Sequence, residues 1–336
     1  MRSVRLEAVG SLTMRDVERP NAGPGELIVR VLAAGICGSD RHMFKGEYPT
    51  AIPVTLGHEF CGLVEEVGDG VSAFTGGELV TIDPNIACGS CPACRRGRPN
   101  LCECLTAIGV TRDGGFAEHV AVPSSQAFML PADLDPVHGA FCEPLACCIH
   151  AIDKARIRPG DTVAIQGGGV IGLLMVQLAR LAGAGEVILI TRQLSRREAA
   201  LRLGATHAFD PAAADTVALV RERTQGGADV VIECAGVPET LQTGVRMARR
   251  GGAFVLFGVT PAGLEVPVLP FDLLVNEVEI RPAYLNPFTH SRAAAMVASG
   301  ALELNSLVTK TIGLEDVAEV VGSAPLSGEI KVIVRP

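Results

Sequence analysis

The stretch TVAIQGGGVIG, residues 162–172, decides the fold of this chain, because it joins a short apolar run, a glycine cluster and the start of an apolar helix. Its glycines fit the spacing G-x-G-x-x-G. Between a strand and a helix, such glycines permit a tight turn and a close backbone approach, and the helix N-terminus offers free N–H groups to a pyrophosphate. The simpler alternative is a turn without a ligand. The pattern favours a dinucleotide site formed by Gly167, Gly169, Val170, Ile171 and Gly172.

Downstream of this turn, short apolar strands alternate with amphipathic helices as far as about residue 285. The strands are expected at 162–165, 187–190, 230–234 and 253–257, and the helices at 170–182, 196–203 and 238–248. Such alternation is typical of βαβ units, whose strands form a parallel sheet. The sequence therefore predicts the α/β class, with a doubly wound parallel sheet of the Rossmann type.

Upstream of the turn, the pattern is β-rich and interrupted by glycine, proline and cysteine. Strands are expected at 27–32, 60–67, 78–82 and 116–122, and a helix at about 138–154. After residue 285, two helices (292–299 and 314–321) and a strand (331–334) form a tail too small to have its own core. We therefore expect a β-rich domain over 1–150, a dinucleotide-binding domain over 151–285 and a tail, 286–336, that returns to the first domain.

Composition excludes several classes of protein. The chain has 336 residues, of which 48% are hydrophobic and 20% charged, so a disordered or fibrous protein is excluded. A formal net charge of −8 without a long basic run argues against nucleic acid as a partner. No apolar stretch approaches the ~18 residues of a membrane span, and the start MRSVRLEAVG lacks a signal-peptide core. The expected location is the cytoplasm, with no membrane partner.

The residues after the second strand of the βαβ pattern indicate which nicotinamide cofactor would bind. An NAD-type pattern places Asp or Glu about 20 residues beyond the turn, where it holds the ribose 2′-hydroxyl. Here no carboxylate occurs in residues 187–197. Guanidinium groups attract a 2′-phosphate, and cations at a helix start are unfavourable without an anion, although these arginines could simply be solvated. The sequence favours NADP(H) over NAD(H), held by Thr191, Arg192 and Arg196.

Four of the eleven cysteines fall within fifteen residues, at Cys88, Cys91, Cys94 and Cys102. Four thiolates at these spacings suit one tetrahedral ion with no open position, which predicts a structural zinc site. An iron–sulfur cluster is the rival interpretation, but the fourth cysteine comes late and no proline follows it. Disulfides are disfavoured in a reducing compartment.

A second set of candidate metal ligands is dispersed along the chain. It comprises Cys37 in CGSDRH, His58 and Glu59 in GHE, and Glu143 in FCEPL. Taken singly, Cys37 could be a small core residue, His58 a buried histidine and Glu143 the first-turn acid of a helix. The residue types alone leave these alternatives open.

Taken together with GGFAE at 114–118, the four-cysteine lobe and the glycine turn, these motifs resemble the zinc-containing medium-chain dehydrogenases, the group of alcohol, sorbitol and threonine dehydrogenases. The resemblance covers essentially the whole chain. It implies a GroES-like catalytic domain beside the Rossmann domain, and a second, catalytic zinc held by Cys37, His58 and Glu59. Glu143 stands where the alcohol-dehydrogenase branch has a second cysteine ligand, as in the sorbitol branch, and would ligate directly or through the bound water.

The resemblance also implies a proton relay for catalysis. Zinc lowers the pKa of an alcohol, Ser39 takes its proton, the nicotinamide ribose passes it on and His42 delivers it to solvent. His42 could instead be a surface histidine. Ser39, His42 and Glu143 are therefore the expected catalytic residues, and two zinc ions per chain are expected in all.

The implied reaction is hydride transfer between NADP(H) and a secondary alcohol or polyol and its ketone. The sorbitol branch grips its polyol with an Arg–Tyr pair, which the loop YLNP at 284–287 lacks, so sorbitol itself is disfavoured. Two alternatives remain: an L-threonine 3-dehydrogenase-like enzyme using NAD, and a non-catalytic NADPH-binding protein on the same scaffold. Because members of this family are dimers or tetramers, a homodimer or homotetramer is expected. The sequence leaves the substrate and the physiological direction open.

Overall fold

A computed structural model describes all 336 residues, Met1–Pro336, and divides them into two compact units. The first unit combines residues 1–146 with 286–336, and the second unit comprises residues 147–285. The C-terminal segment thus shares a unit with the N-terminal part of the chain. None of the helices combines the length and the apolar character that crossing a membrane requires.

The strands and helices follow in chain order. The strands are β1 (Arg2–Ala8), β2 (Ser11–Asp16), β3 (Glu26–Gly35), β4 (Val54–Thr55), β5 (Glu59–Val67), β6 (Leu79–Ile82), β7 (Asn85–Ile86), β8 (Thr106–Ala107), β9 (His119–Pro123), β10 (Ala127–Met129), β11 (Thr162–Gln166), β12 (Glu186–Ile190), β13 (His207–Phe209), β14 (Ala228–Glu233), β15 (Ala248–Leu256), β16 (Glu279–Pro282), β17 (Val308–Ile312) and β18 (Lys331–Val334). The helices are α1 (Gly38–Phe44), α2 (Pro92–Arg95), α3 (Pro136–Gly139), α4 (Cys142–Ala155), α5 (Val170–Leu181), α6 (Leu194–Arg202), α7 (Thr216–Arg223), α8 (Pro238–Met247), α9 (Pro270–Asn276), α10 (His290–Ala298) and α11 (Val317–Gly322).

The first unit is built on a seven-stranded sheet in the order β10-β6-β5-β3-β18-β17, with β9 also paired to β3. Strand β18 runs antiparallel to β3, with Val334 opposite Ala34. The last strand of the chain therefore belongs to the same sheet as β3, a strand from its N-terminal part. A smaller sheet, β2-β1-β4, packs its apolar side chains into the same hydrophobic core.

The second unit contains a six-stranded, entirely parallel sheet in the order β13-β12-β11-β14-β15-β16. Its inner strands β11, β12 and β14 are almost continuously apolar and buried, as strands covered on both faces must be. The order reverses between β11 and β14, and ligands of such sheets bind at this reversal, beyond the carboxyl ends of the strands. The predicted doubly wound sheet is confirmed, and the glycine turn follows β11 at the reversal.

The structure differs from the predicted helix at 138–154, which is split into α3 and α4. Asp135 caps α3 by accepting a hydrogen bond from the Val137 backbone N–H at 3.0 Å. Gly139 then ends α3 against the core, where a Cβ atom would lie 2.4 Å from Sγ of Cys61. The sequence pattern also missed the hairpin β1–β2, α7 and the short strands β13, β16 and β17, because few residues carry each signal.

Candidate metal and cofactor sites

The glycine turn is shaped by one left-handed backbone conformation and one close backbone contact. Gly167 has a φ of +104°, which favours glycine, and a Cβ on Gly172 would lie only 1.8 Å from the carbonyl oxygen of Gly167. Gly169 is the N-cap of α5, provides no capping side chain and has open space beside its Cα. Val170 and Ile171 open the helix. The N-terminus of α5 therefore presents uncapped N–H groups where a pyrophosphate would bind.

Thr191 follows β12 directly, and its side chain packs beside the glycine turn. A Cβ on Gly168 would lie 2.8 Å from Oγ1 of Thr191. Arg192 is exposed and Arg196 is half-buried, and both flank the start of α6. Helix α6 has no side-chain cap and no acidic residue in its first turn. These features form a positively charged helix N-terminus.

Arg197, to which the sequence assigned no role, organises this corner. Its Nη1 donates hydrogen bonds to the carbonyl oxygens of Thr191 at 2.9 Å and Arg192 at 2.7 Å, and to Oδ2 of Asp210 at 2.9 Å. Asp210 follows β13 directly, and its negative charge would oppose a phosphate bound here. Its ion pair with Arg197 partly neutralises that negative charge.

The structure brings Cys37, His58 and Glu59 together, with one ligand atom from each lying within 4.8 Å of the others. Cys37 is the N-cap of α1, His58 precedes β5 and Glu59 is the first residue of β5. Gly57 makes this approach possible, because it has a φ of +95° and a Cβ there would lie 2.6 Å from the Phe116 backbone nitrogen. A thiol, an imidazole and a carboxylate at this spacing form a donor set suited to zinc.

Buried charges surround this ligand group. Oδ2 of the fully buried Asp40 accepts a hydrogen bond from the Cys37 N–H at 2.8 Å, and Oδ1 lies 3.4 Å from Nδ1 of His58. Burial alone would lower the pKa of His58, but the Asp40 carboxylate, together with Cys37, raises it well above its usual value. The surroundings of His58 thus favour positive charge. This observation fits a bound cation.

Lys331 of β18 contacts the same group from the opposite side. Its ammonium donates a hydrogen bond to Oε2 of Glu59 and another to the Ile36 carbonyl oxygen at 3.2 Å. Burial disfavours the charged form of Lys331, but Glu59, Cys37 and Asp40 raise its pKa above the usual value. Lys331 therefore compensates the charge of Glu59 through Oε2.

The remaining predicted residues of the catalytic site are Ser39, His42 and Glu143. Oγ of Ser39 is 3.1 Å from Nε2 of His58, so its hydroxyl lies beside the ligands. His42 is on the same helix, α1, and its Nδ1 is 2.7 Å from Oε2 of Glu47. Glu143 is buried in the first turn of α4 and is not one of the three residues that the structure groups together. Its role as a ligand stays a prediction.

The sulfur atoms of Cys88, Cys91, Cys94 and Cys102 lie within 4.8 Å of one another. Backbone N–H groups, first that of Ser90 and then that of Cys91, lower the pKa of the Cys88 thiol to about 6, whereas burial and the Cys91 side chain raise that of Cys94 to about 12. Cys88 is therefore easily ionised, whereas the neighbouring thiols oppose the ionisation of Cys94. A divalent cation would remove this conflict, so the four residues fit a closed zinc site.

Asp40, Lys331 and Arg197 are the functional candidates that sequence reasoning missed. Asp40 lies within the motif CGSDRH, and its position three residues after an N-cap cysteine was an available signal, since an acid at that position can bond back to the cap. Lys331 carried no local signal, because its partner Glu59 is 272 residues away in sequence. The role of Arg197 could be recognised only when the position of its partner Asp210 was known.

Two protein families match separate stretches of this chain. Residues 23–132 match the family described as the alcohol dehydrogenase GroES-like domain, and residues 170–299 match the family described as zinc-binding dehydrogenase. The first match covers five of the seven strands of the larger sheet, all but β17 and β18, and both cysteine-containing ligand groups. The second begins at Val170, in the glycine turn.

Similar proteins extend over nearly the whole chain. A sorbitol dehydrogenase of Bacillus subtilis (strain 168) is 33% identical over 94% of this chain and 91% of its own length. A D-arabitol-phosphate dehydrogenase of Enterococcus avium is 34% identical over 100% of this chain and 97% of its own length. A protein of Sinorhizobium meliloti 1021, described as a zinc-binding dehydrogenase and crystallised with NADP, is 52% identical, with a TM-score of 0.97 over 100% of this chain and 99% of that chain. This chain therefore belongs to the zinc-containing medium-chain dehydrogenase family, whose members include the alcohol and polyol dehydrogenases.

Proposed function

We propose that this chain is a zinc-dependent oxidoreductase that transfers a hydride between NADP(H) and a secondary alcohol or polyol and its ketone. The observation that carries the proposal is the ligand group of Cys37, His58 and Glu59, whose donor atoms lie within 4.8 Å of one another. A non-catalytic protein would have no use for a second group of ligands besides the four-cysteine lobe. In this proposal the first unit is catalytic and the second unit binds the dinucleotide.

Two zinc ions per chain form part of the proposal. Cys88, Cys91, Cys94 and Cys102 would hold one, whose closed thiolate set suits a structural role. Cys37, His58 and Glu59 would hold the other, and Glu143 would complete this set directly or through a water molecule. A zinc ion in an open site supplies Lewis acidity, which lowers the pKa of an alcohol hydroxyl. Reduced thiolates in the lobe support a location in the cytoplasm.

The protein residues carry the proton away from the substrate. Ser39 accepts the hydroxyl proton and passes its own hydroxyl proton on toward His42. This role is supported by the position of its Oγ atom, 3.1 Å from Nε2 of His58. His42, whose side chain is 35% exposed, releases the proton to solvent. The buried Asp40 carboxylate lies 3.4 Å from Nδ1 of His58, on the ring nitrogen beside which carboxylates commonly lie in metal-binding histidines.

NADP(H) is the proposed cofactor. The helix N-terminus of α6 lacks a side-chain cap and carries Arg192 and Arg196, which suits the 2′-phosphate. Asp210, whose charge would oppose a phosphate at the start of α6, is paired with Arg197. The similar protein of Sinorhizobium meliloti 1021 binds NADP, which supports the same choice here.

The proposed substrate is a secondary alcohol or a polyol other than sorbitol. Sorbitol and arabitol-phosphate dehydrogenases among the similar proteins support this class. The loop that lacks the Arg–Tyr pair contains Asn286, which is buried and is hydrogen-bonded to Asn85 at 2.7 Å and Asp83 at 3.2 Å. Asn286 therefore has a packing role and is not free to grip a hydroxyl.

The experiment that tests the function is a rate measurement over a panel of secondary alcohols, polyols, their ketones and L-threonine, each with NADP(H) and with NAD(H). We expect turnover of a secondary alcohol or polyol with NADP. Turnover of threonine with NAD would instead identify a threonine dehydrogenase. NADPH binding without turnover of any panel member would favour the non-catalytic alternative.

A homodimer or homotetramer is also proposed. The second unit exposes large apolar side chains on and near α9 and at its open sheet edge, β16: Leu269, Phe271, Leu274, Val275 and Ile280. Antiparallel pairing of β16 with β16 of a second copy would close this sheet edge. The molar mass in solution, measured by light scattering, tests this; a Phe271→Asp/Leu274→Asp variant should lower it, and a monomeric native chain would contradict it.

A further inference from the structure

The turn that ends helix α1 connects His42 to Glu47 through the backbone. Lys45 is the C-cap, and Gly46 has a φ of +74°. The Gly46 N–H donates to the Met43 carbonyl oxygen at 3.0 Å, and the Glu47 N–H donates to that of His42 at 2.9 Å. These two bonds form a Schellman motif, in which a left-handed glycine reverses the chain onto the last helical turn.

Side-chain geometry connects the same two residues a second time. Oε2 of Glu47 lies 2.7 Å from Nδ1 of His42. This is the short distance typical of a hydrogen bond with a charged partner. Because both the backbone and the side chain join this pair, Glu47 is held in a defined position relative to the imidazole ring.

The neighbouring hairpin supports this turn. The Gly10 N–H, in the turn between β1 and β2, donates to the Phe44 carbonyl oxygen at 2.7 Å. A Cβ atom on Gly46 would lie 3.0 Å from a methyl carbon of Val9. The turn is therefore packed against a second element.

We propose that Glu47 is a positioning residue for the proton relay, which fixes the tautomer of His42 with the proton on Nδ1. This inference rests on the proposed function of His42. A carboxylate can only accept a hydrogen bond, so Nδ1 must be the donor and the lone pair of the neutral ring lies on Nε2. Nε2 is then the atom that can take up a proton arriving from Ser39.

The proton balance of this step is simple. A proton binds to Nε2 and forms an N–H bond, which gives the imidazolium form of His42. The carboxylate of Glu47 stabilises this positive charge, as the aspartate of a Ser-His-Asp triad does. Transfer of that proton from Nε2 to a water molecule or buffer base restores the neutral ring. Exposure of both side chains, 35% for His42 and 41% for Glu47, gives solvent access for this transfer.

Stability alone would not reveal such a role, because an exposed ion pair contributes little to the free energy of unfolding. Turnover is the first readout. We expect Glu47→Ala to lower kcat for alcohol oxidation about tenfold and to leave KM nearly unchanged. Glu47→Gln should retain more activity, because its amide oxygen can still accept the Nδ1 hydrogen bond. Glu7→Ala, which removes an acid paired with Arg15 on the surface, is the matched control and should be silent.

A double-variant comparison tests whether Glu47 acts through His42. In the His42→Ala background, Glu47→Ala should lower kcat no further, because the ring that Glu47 positions is gone. Independent, multiplicative losses in kcat would overturn the inference, as would an unchanged kcat in the single Glu47→Ala variant.

The tautomer itself can be read without turnover, from the ¹⁵N chemical shifts of the histidine rings in zinc-loaded protein, with His42→Ala used to assign the signals. We expect the neutral ring of His42 to carry its proton on Nδ1 and to lose this preference in Glu47→Ala but not in Glu7→Ala. A tautomer that does not depend on Glu47 would overturn the inference. Absence of turnover with every panel substrate would refute the proposed function instead, so the two failures are distinguishable.

Discussion

Lys331 donates a hydrogen bond to Glu59 from the far end of the chain, and the two side chains are only 1% and 2% exposed. Strand β18 thus supplies the cation that compensates a buried carboxylate on β5. Because β18 completes the sheet beside β3, the C-terminal segment contributes to the candidate metal site as well as to the fold.

Removal of the Lys331 ammonium should destabilise the first unit strongly. A Lys331→Met change leaves Glu59 buried without its cation, and loss of one partner of a buried pair typically costs about 3–5 kcal/mol. The free energy of unfolding, measured with urea, checks this. Lys310→Met, at an exposed position on β17, is the matched control and should change it little. Equal effects of the two variants would show that the pair is not important for stability.

His290 should make the stability of the first unit depend on pH. The ring is buried, contacts Phe128 at a centroid distance of 4.9 Å and lies 3.3 Å from Oγ1 of Thr81. Burial lowers the pKa of His290 from 6.5 to about 3. Since the folded pKa lies below the unfolded one, the unfolded chain binds the proton first as the pH falls.

The free energy of unfolding is therefore unaffected by protonation of His290 above pH 6.5. It falls between about pH 6.5 and 3, at up to about 1.4 kcal/mol per pH unit. Urea unfolding at several pH values should show a shallower loss of stability for His290→Phe than for the native chain. If the free energies of unfolding of the two proteins fell equally with pH, His290 would not be the cause of the pH dependence.

The arginines at the start of α6 should select the cofactor. We expect Arg192→Ala and Arg196→Ala each to raise KM for NADP about tenfold, because a charge-assisted hydrogen bond to phosphate contributes about 1.5–3 kcal/mol. KM for NAD should change less than twofold, since NAD lacks the 2′-phosphate. Arg202→Ala, exposed in the last turn of the same helix, is the control. Equal increases in KM for NADP and NAD would contradict the assignment of Arg192 and Arg196 to the 2′-phosphate.

The four-cysteine lobe should hold a zinc ion that supports folding. Cys94→Ser should remove one zinc ion per chain and lower the midpoint of thermal unfolding, because structural zinc contributes directly to folding free energy. Cys104→Ser changes an exposed cysteine two residues after Cys102 and outside the ligand group, so it should alter neither quantity. Equal effects of the two substitutions would refute the assignment of the four ligands.

Local patterns were enough to predict much of the fold. The run Thr162–Gln166, the glycines after it and the helix from Val170 could be recognised because strand, turn and helix each carry a local signal within a few residues. The strand Lys331–Val334 was predicted with its observed bounds. The weak edge strands β16 and β17 were missed because their stability comes from pairing and not from composition.

The candidate sites also fall into two groups, those with a local sequence signal and those without one. The four-cysteine lobe is readable from spacing alone, since its ligands are close in sequence. Grouping Cys37 with His58 required a family resemblance, because the sequence between them does not reveal their distance. The partners Lys331 and Glu47 became evident only from contacts in the folded chain.

The central claim is that Cys37, His58 and Glu59 hold a zinc ion separate from that of the four-cysteine lobe. The most direct measurement is the zinc content of the purified chain and of its His58→Ala and Cys37→Ser variants, by mass spectrometry of the metal. The account predicts two zinc ions in the native chain and one in either variant, with NADPH binding retained. A single zinc ion in the native chain that neither substitution removes would contradict it.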